Sequence, residues 1–339
     1  MPKAKFCVVV PAFNEKKVIE SSIKALKQVI HRSNIYVVSD GSTDNTVRLS
    51  RRMCVNVLSL RKNHGKAGAI FILIKKFKLT RRYQYILFSD ADSRLKRDFF
   101  MQIKTKIKSK PACLVGAVQS HRKGFVSAFR FYEYALSNVV FKNAQNTAGV
   151  ITVAPGCAAL YRSDVLEQLD FSHHTLTEDF DFTIQIHQKK LGQIIYVPQA
   201  QVTTQDPMTL KDYWNQVLRW YTGFWQNFFI HRLYLPTKKL NFEIYILLLD
   251  LFIFLATAIF ALSEPAKFLH LVKYGYLSMI GVFALVLAIQ KQFWAIKFVL
   301  FFPLFYAINL MTYSIAFLRA IFGRKKNLSW RRVMRYKVS

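Results

Sequence analysis

From residue 6 to about residue 207, short apolar runs alternate with segments that are apolar on one face only. "KFCVVVPAF" reads as a strand. In "EKKVIESSIKALKQVI", Val18, Ile19, Ile23, Leu26, Val29 and Ile30 fall on one face with lysines on the other, which predicts an amphipathic helix. "IYVVSD" predicts a second strand, and "STDNTVRLSRRM" a helix that starts among capping residues. "VNVLSL", "GKAGAIFILIKKFK" and "YQYILFSDADS" continue as strand, helix and strand. Two more strands, "PACLVGAVQS" and "APGCAALYR", flank the aromatic-rich helix "FVSAFRFYEYALSNVVFKNAQ". Strands separated by helices of this length predict an α/β fold with a doubly wound, mostly parallel sheet.

Near residue 243 the pattern changes. "FEIYILLLDLFIFLATAIFAL", "FLHLVKYGYLSMIGVFALVLAI" and "AIKFVLFFPLFYAINLMTYSIAFL" are each long enough to cross a bilayer, which takes about 20 apolar residues. Just ahead of them, "KDYWNQVLRWYTGFWQ" puts Gln216 and Arg219 beside Trp214, Trp220 and Trp225. A buried core helix would not carry that arginine, and a plain surface helix would not carry those tryptophans. The divisions expected are a soluble domain at 1–207, an interfacial amphipathic region at 208–240, transmembrane or interfacial helices at 241–322 and a basic tail at 323–339. The tail has no acidic residue and belongs on the cytosolic side, whereas three crossings would leave it on the other side. One segment is therefore expected to lie in the interface, and the third, with Pro303, is the first candidate. Asp250 inside the first segment is costly in lipid and should face protein or water.

Composition sharpens this picture. A chain of 339 residues holds one sizeable domain plus a smaller part, and here 52% hydrophobic residues accompany a net charge of +30. Charge alone would suit a nucleic-acid binder, but long apolar runs would not. Both together suit an integral membrane protein whose basic cytosolic face meets anionic lipid. Cys7, Cys54, Cys113 and Cys157 form no CxxC pair and read as reduced apolar fillers. The apolar run in "MPKAKFCVVVPAF" is too short for a signal peptide, so the soluble part is expected in the cytosol.

The chain is poor in acids, with 19 Asp and Glu, yet several close strands, where a doubly wound sheet binds ligands. Asp40 ends "YVVSD"; Asp90 and Asp92 end "ILFSDAD". Two carboxylates one residue apart, together with a diphosphate, can hold Mg²⁺ or Mn²⁺, although an isolated DxD is more often an ordinary acidic turn. "NHGKAG" sets Gly65 and Lys66 at a helix start, which suits an anion but does not match the P-loop pattern. "LTEDFDF" sets Glu178 and Asp179 at another helix start. The helix dipole alone favours carboxylates there; a general base for a sugar hydroxyl is the functional alternative.

Taken in order, "PAFNE", "SDGSTDNT", "GKAGA", "SDADS", "APGCAALYR", "TEDFDF" and "QVLRW" resemble the family-2 membrane glycosyltransferases of GT-A fold. These include the cellulose, chitin, hyaluronan and poly-N-acetylglucosamine synthases, and the match runs from residue 6 to about 226. The resemblance implies that Pro11, Phe13, Asn14, Glu15 and Asp40 line the uridine pocket, with Lys66 near the nucleotide. Asp90 would contact the nucleotide sugar, Asp92 with Asp90 would hold Mg²⁺ or Mn²⁺, and Asp179, flanked by Glu178, would be the catalytic base. Arg219 would meet the diphosphate, and Gln216 and Trp220 the acceptor. The activity implied is inverting transfer from a UDP-sugar to a growing β-linked polysaccharide. The alternative is transfer of one sugar to a membrane lipid, as in ceramide glucosyltransferase relatives. The expected partners are donor, polysaccharide or lipid acceptor and membrane lipid, without nucleic acid. With three helices or fewer, a polymer path would call for a homo-oligomer or a helper membrane subunit.

Overall fold

A computed structural model describes residues 4–121, 124–172, 175–233, 249, 256–257, 259–322 and 335–336. The chain divides into two compact units: Met1–His121, Asn138–Gln205 and Met334–Ser339 form the first, Arg122–Ser137 and Asp206–Val333 the second.

The first unit is built on an eight-stranded sheet. Its strands are β1 (Ala4–Ala12), β2 (Ile35–Asp40), β3 (Asn56–Leu60), β4 (Tyr83–Phe88), β5 (Arg94–Leu95), β6 (Cys113–Ser120), β7 (Ala159–Arg162) and β8 (Ile194–Thr204). The order across the sheet is β3-β2-β1-β4-β7-β6-β8-β5. β1, β2, β3 and β4 pair in parallel, as does β6 with β8. β7 runs antiparallel to both neighbours, and β5 antiparallel to β8. The alternation of strands and helices thus yields the α/β sheet expected, with a mixed half at β7. That reversal starts from the carboxyl end of β4: Gly156, just ahead of β7, lies against Lys66, and Lys66 pairs with Asp90 two residues past β4. A strand that begins there must run back.

β2, fully buried along its length, packs with Val8, Val9, Val10, Ile86 and Leu87 into the core. Each buried aliphatic side chain of this kind contributes about 1.5–3 kcal/mol. The helices of this unit are α1 (Ile19–Lys27), α2 (Thr46–Arg52), α3 (Gly65–Phe77), α4 (Leu79–Arg82) and α5 (Phe99–Lys104). In the second unit α6 spans Phe125–Leu136; α7 (Lys142–Ala148), α8 (Ser163–Gln168) and α9 (Glu178–Gln188) belong to the first. α5, β5 and β8 were not anticipated from the pattern. β8 carries Pro198 where its register with β6 jumps from Gly116↔Val197 to Ala117↔Gln201. A bulge tolerates a residue without an N–H. Gly116 allows the close approach, because a Cβ there would stand 2.5 Å from the Ala200 carbonyl oxygen.

The second unit comprises α6, α10 (Leu210–Ile230), the helix Pro265–Ile289 and a 3₁₀ turn at Phe293–Phe301 running into the helix Phe302–Phe322. Val126, Phe129, Tyr132, Tyr213, Val217, Phe283, Phe302 and Phe305 form its core. Pro265–Ile289 and Phe293–Phe322 are long and apolar enough to cross a bilayer, with mean hydropathy 1.8 and 1.7. Most of their apolar surface is exposed, including Leu269, Leu285, Leu300 and Phe322. Pro303 falls in the first turn of its helix, where a missing N–H leaves no bond unmade. The first expected segment, with Asp250, lies mostly outside the described residues.

Candidate active site

The carboxyl ends of β1, β2 and β4 open side by side, and the loops that leave them are tied together. Asn14 adopts a left-handed backbone (φ 55°), which Asn tolerates better than most residues. Its side-chain oxygen accepts from the backbone N–H of Thr43 (2.8 Å) and Asp44 (3.2 Å). The Glu15 N–H donates to Thr46 Oγ1 at 2.7 Å. Asn14 therefore fixes the β1 loop against the β2 loop. Pro11 and Phe13 flank it half-buried, and Glu15 is buried.

Asp40, at the end of β2, is buried and accepts from the His64 N–H at 2.7 Å. Burial pushes its carboxyl above the usual range, and that backbone donor partly offsets the effect. The same contact sets the start of α3, and so places Lys66. The Lys66 ammonium lies 2.7 Å from Asp90 Oδ1 and 2.8 Å from Glu178 Oε1. Burial works against its charge, but Asp90, Glu178 and Asp179 outweigh that and hold it well above the ordinary lysine value. One lysine thus joins the DxD turn to the start of α9. Each of these motifs was legible in the sequence, but not the bond between them.

Asp179, half-buried in the first turn of α9, accepts from Gly156 N–H (3.1 Å) at Oδ2 and from Phe180 N–H (2.9 Å) at Oδ1. Burial first, then the neighbouring Glu178, raises its carboxyl above the ordinary range; Lys66 and the two N–H donors oppose this. Gly156 sits where these groups converge. A Cβ there would come 2.8 Å from Lys66 Nζ and 3.2 Å from Glu178 Oε1. Sequence reading included this glycine in "APGC" without giving it a role; its signal was a glycine between proline and cysteine in a loop ahead of a strand.

Asp92 is buried and its Oδ1 has no hydrogen-bond partner among the described residues. Its Oδ2 pairs with Arg335, whose Nε lies 3.3 Å from Glu15 Oε2. Lys17 Nζ donates to the Arg335 carbonyl (3.2 Å) and Gln205 Nε2 to that of Tyr336 (2.9 Å), so four side chains hold this part of the tail. An orphaned carboxylate oxygen, a hard donor, fits a hard divalent cation. Among the described residues no three His, Cys, Asp or Glu side chains form a ready-made metal nest. A cation at Asp92 would therefore take part of its coordination from a ligand's oxygens.

The structure brings Lys66, Asp90, Glu178 and Asp179 together, with Asp92 following Asp90 in the same turn. Gln216, Arg219 and Trp220 lie on α10 in the second unit. There the Arg130 guanidinium stands 4.5 Å from the Trp220 ring centroid and bonds Glu133 (2.6 Å) and the Tyr134 hydroxyl (3.0 Å). Trp220 thus covers a buried cation, a role sequence reading did not foresee. Gln216 Oε1 is buried without a hydrogen-bond partner among the described residues, and Arg219 is half-exposed.

Comparison with known proteins accords with this architecture. The sequence profile described as glycosyltransferase like family 2 matches residues 2–223. The poly-beta-1,6-N-acetyl-D-glucosamine synthase of Staphylococcus aureus (strain COL) is 26% identical over 249 residues, covering 70% of this chain and 58% of the relative. That of Staphylococcus epidermidis is 26% identical over 255 residues, with the same coverage. The chain thus spans 58% of the length of these relatives. Among solved structures, a mannosyltransferase from Pyrobaculum calidifontis in complex with GDP-Man and Mn²⁺ superposes with a TM-score of 0.58 at 18% identity, covering 96% of this chain and 89% of its own. That likeness establishes the fold.

Proposed function

The chain belongs to glycosyltransferase family 2, and from that premise we propose that it is an inverting transferase acting at a membrane surface. The donor is a UDP-sugar, UDP-N-acetylglucosamine or UDP-glucose, and the acceptor is a growing β-linked polysaccharide. The observation that carries this reading is the Lys66 bridge, which ties the DxD turn to the helix start bearing Asp179. The relatives named for a β-linked N-acetylglucosamine polymer support the choice of product.

In this mechanism Asp179 takes the proton of the acceptor hydroxyl as that oxygen attacks the anomeric carbon of an α-linked donor. Inversion at that carbon gives a β-linked product. The raised Asp179 carboxyl is a stronger base than a free aspartate, and the two N–H donors fix its orientation. Lys66 offsets half of the charge carried by Asp90 and Glu178, which eases the placing of Asp179 beside them. A divalent ion, Mg²⁺ or Mn²⁺, held at Asp92 with Asp90 beside it, would stabilise charge on the departing diphosphate. Asp40 and Glu15 with the Asn14 loop would line the nucleotide pocket. By the resemblance alone, Gln216 and Trp220 would serve the acceptor and Arg219 the diphosphate. The two apolar helices are compatible with a membrane protein, and the catalytic unit is assigned to the cytosolic side.

The test is UDP release by purified protein with UDP-glucose, UDP-N-acetylglucosamine and UDP-glucuronate in the presence of Mn²⁺ or Mg²⁺. Release with oligosaccharide ladders supports the reading. A single organic-extractable product would shift the acceptor to a lipid, and no release from any donor would overturn the proposal.

A further inference from the structure

Lys142, on α7, is 7% exposed, and its ammonium makes no ion pair among the described residues. Lysine is almost never buried this deeply unless paired, and an apolar residue of the same length would avoid the desolvation. Its Nζ donates to the Val153 carbonyl oxygen at 2.7 Å. From Val153 the chain runs as a strap to Gly156, whose N–H holds Asp179 Oδ2. Between them the Ala154 N–H donates to Thr183 Oγ1 (3.0 Å), and that hydroxyl donates to the Asp179 carbonyl (2.6 Å). On the other side Gln145, also on α7, accepts from the Thr152 N–H at 3.3 Å. The strap is thus tied to α7 at one end and to the first turn of α9 at the other.

We propose that Lys142 is a positioning residue for the proton acceptor: it anchors the strap that orients Asp179 and keeps a positive charge near that carboxylate. The proposal rests on the reading of Asp179 as the base. Asp179 on α9, Cys157 just past the strap and Cys113 on β6 are the titratable groups whose charge acts on the ammonium, while Glu178 and Lys66 are the larger charges acting on Asp179. Burial lowers Lys142 to about 8, and Asp179 is the first group to offset this. Below that pH the side chain is a cation, and a cation near Asp179 favours its ionised form. Removing the charge therefore raises the pH at which Asp179 loses its proton.

The test uses full-length protein with Lys142→Met, Lys142→Gln, which keeps a donor for Val153 without the charge, and Lys142→Arg. In Met and Gln variants the acidic limb of kcat against pH moves up by about half to one pH unit, a three- to tenfold rate loss on that limb. Arg restores the limb, and UDP affinity stays within about twofold in all three. Thermal unfolding runs alongside, and should Met fail to fold, Gln decides. An unmoved limb in Gln, with kcat falling only as stability falls, overturns the proposal. Asp179→Asn separates the two levels. If that variant is inactive while the limb stays fixed in Lys142→Gln, only the role of Lys142 fails; if it stays active, the reading of the base fails.

Discussion

Lys66→Met removes the ammonium that Asp90 and Glu178 share while keeping the aliphatic stem. Both carboxylate oxygens touch the same nitrogen, so they lie on the order of 5 Å apart, and at an effective dielectric of ~20 two like charges at that distance repel by about 3 kcal/mol. Solvent weakens this, since the side chains of Lys66 and Asp90 are 30% and 33% exposed. A loss of about 1–2 kcal/mol remains, which lowers Tm by about 3–6 °C for a unit of this size. The pH dependence follows from the carboxylates. Without Lys66 the two ionised carboxylates repel each other in the folded state, and protonating either one in acid removes that repulsion. The deficit is then largest at neutral pH and shrinks toward pH 4–5, the ordinary carboxylate range. Lys66 itself is held above its ordinary value, and its contribution would be lost only in strong alkali. Thermal unfolding of wild type and Lys66→Met at pH 7.5 and pH 5, in the same detergent, measures both points. An equal deficit at the two pH values, or none, would refute the bridge as the element joining the two motifs.

The remaining predictions address the same cleft. Asp179→Asn should lower transfer by about 10²-fold or more while UDP binding, measured by calorimetry, stays near wild type. Gly156→Ala adds a methyl 2.8 Å from Lys66 Nζ and must displace that ammonium or the strap; kcat should fall by about tenfold or more with UDP affinity little changed. A combined fall in both would mean that the strap serves nucleotide binding. Arg335→Ala removes a cation that competes with a metal ion for Asp92 Oδ2; Mn²⁺ affinity without nucleotide, read by electron paramagnetic resonance, should tighten by about tenfold. Unchanged affinity would place the Mn²⁺ elsewhere.

The fold was legible wherever burial imposed a period. β1, β2, β4 and α3 are each apolar on the faces they bury, and their runs stand out against lysine-rich surroundings. β8 did not stand out, because Pro198 and the bulge it occupies break the run. β5 is two residues long and carries no period at all. The reversed direction of β7 could not be read from its four residues, since direction depends on where the chain lies when the strand begins. In "APGCAALYR" that depends on Gly156, whose contacts are with Lys66, Glu178 and Asp179, 22 to 90 positions away.

The candidate site divides in a similar way. Asp40, Asp90, Asp92, Glu178 and Asp179 could be picked out because carboxylates are scarce in this chain and these close strands or open helices. Of the groups that govern them, Lys66 stood out by its place after the glycine of "NHGKAG", but its two carboxylate partners did not. Nothing in composition distinguishes Lys142 or Arg335 from the rest of the 49 basic residues. Geometry separates them: Lys66 bridges two carboxylates, Arg335 pairs with two, and Lys142 is buried under a backbone carbonyl. Most basic residues of this chain keep their charge in water at little cost. These three give up hydration, wholly or in part, and only contacts in the folded state can return it. A basic residue that is buried beside an acidic cleft is therefore the more informative one, and its position has to come from the fold.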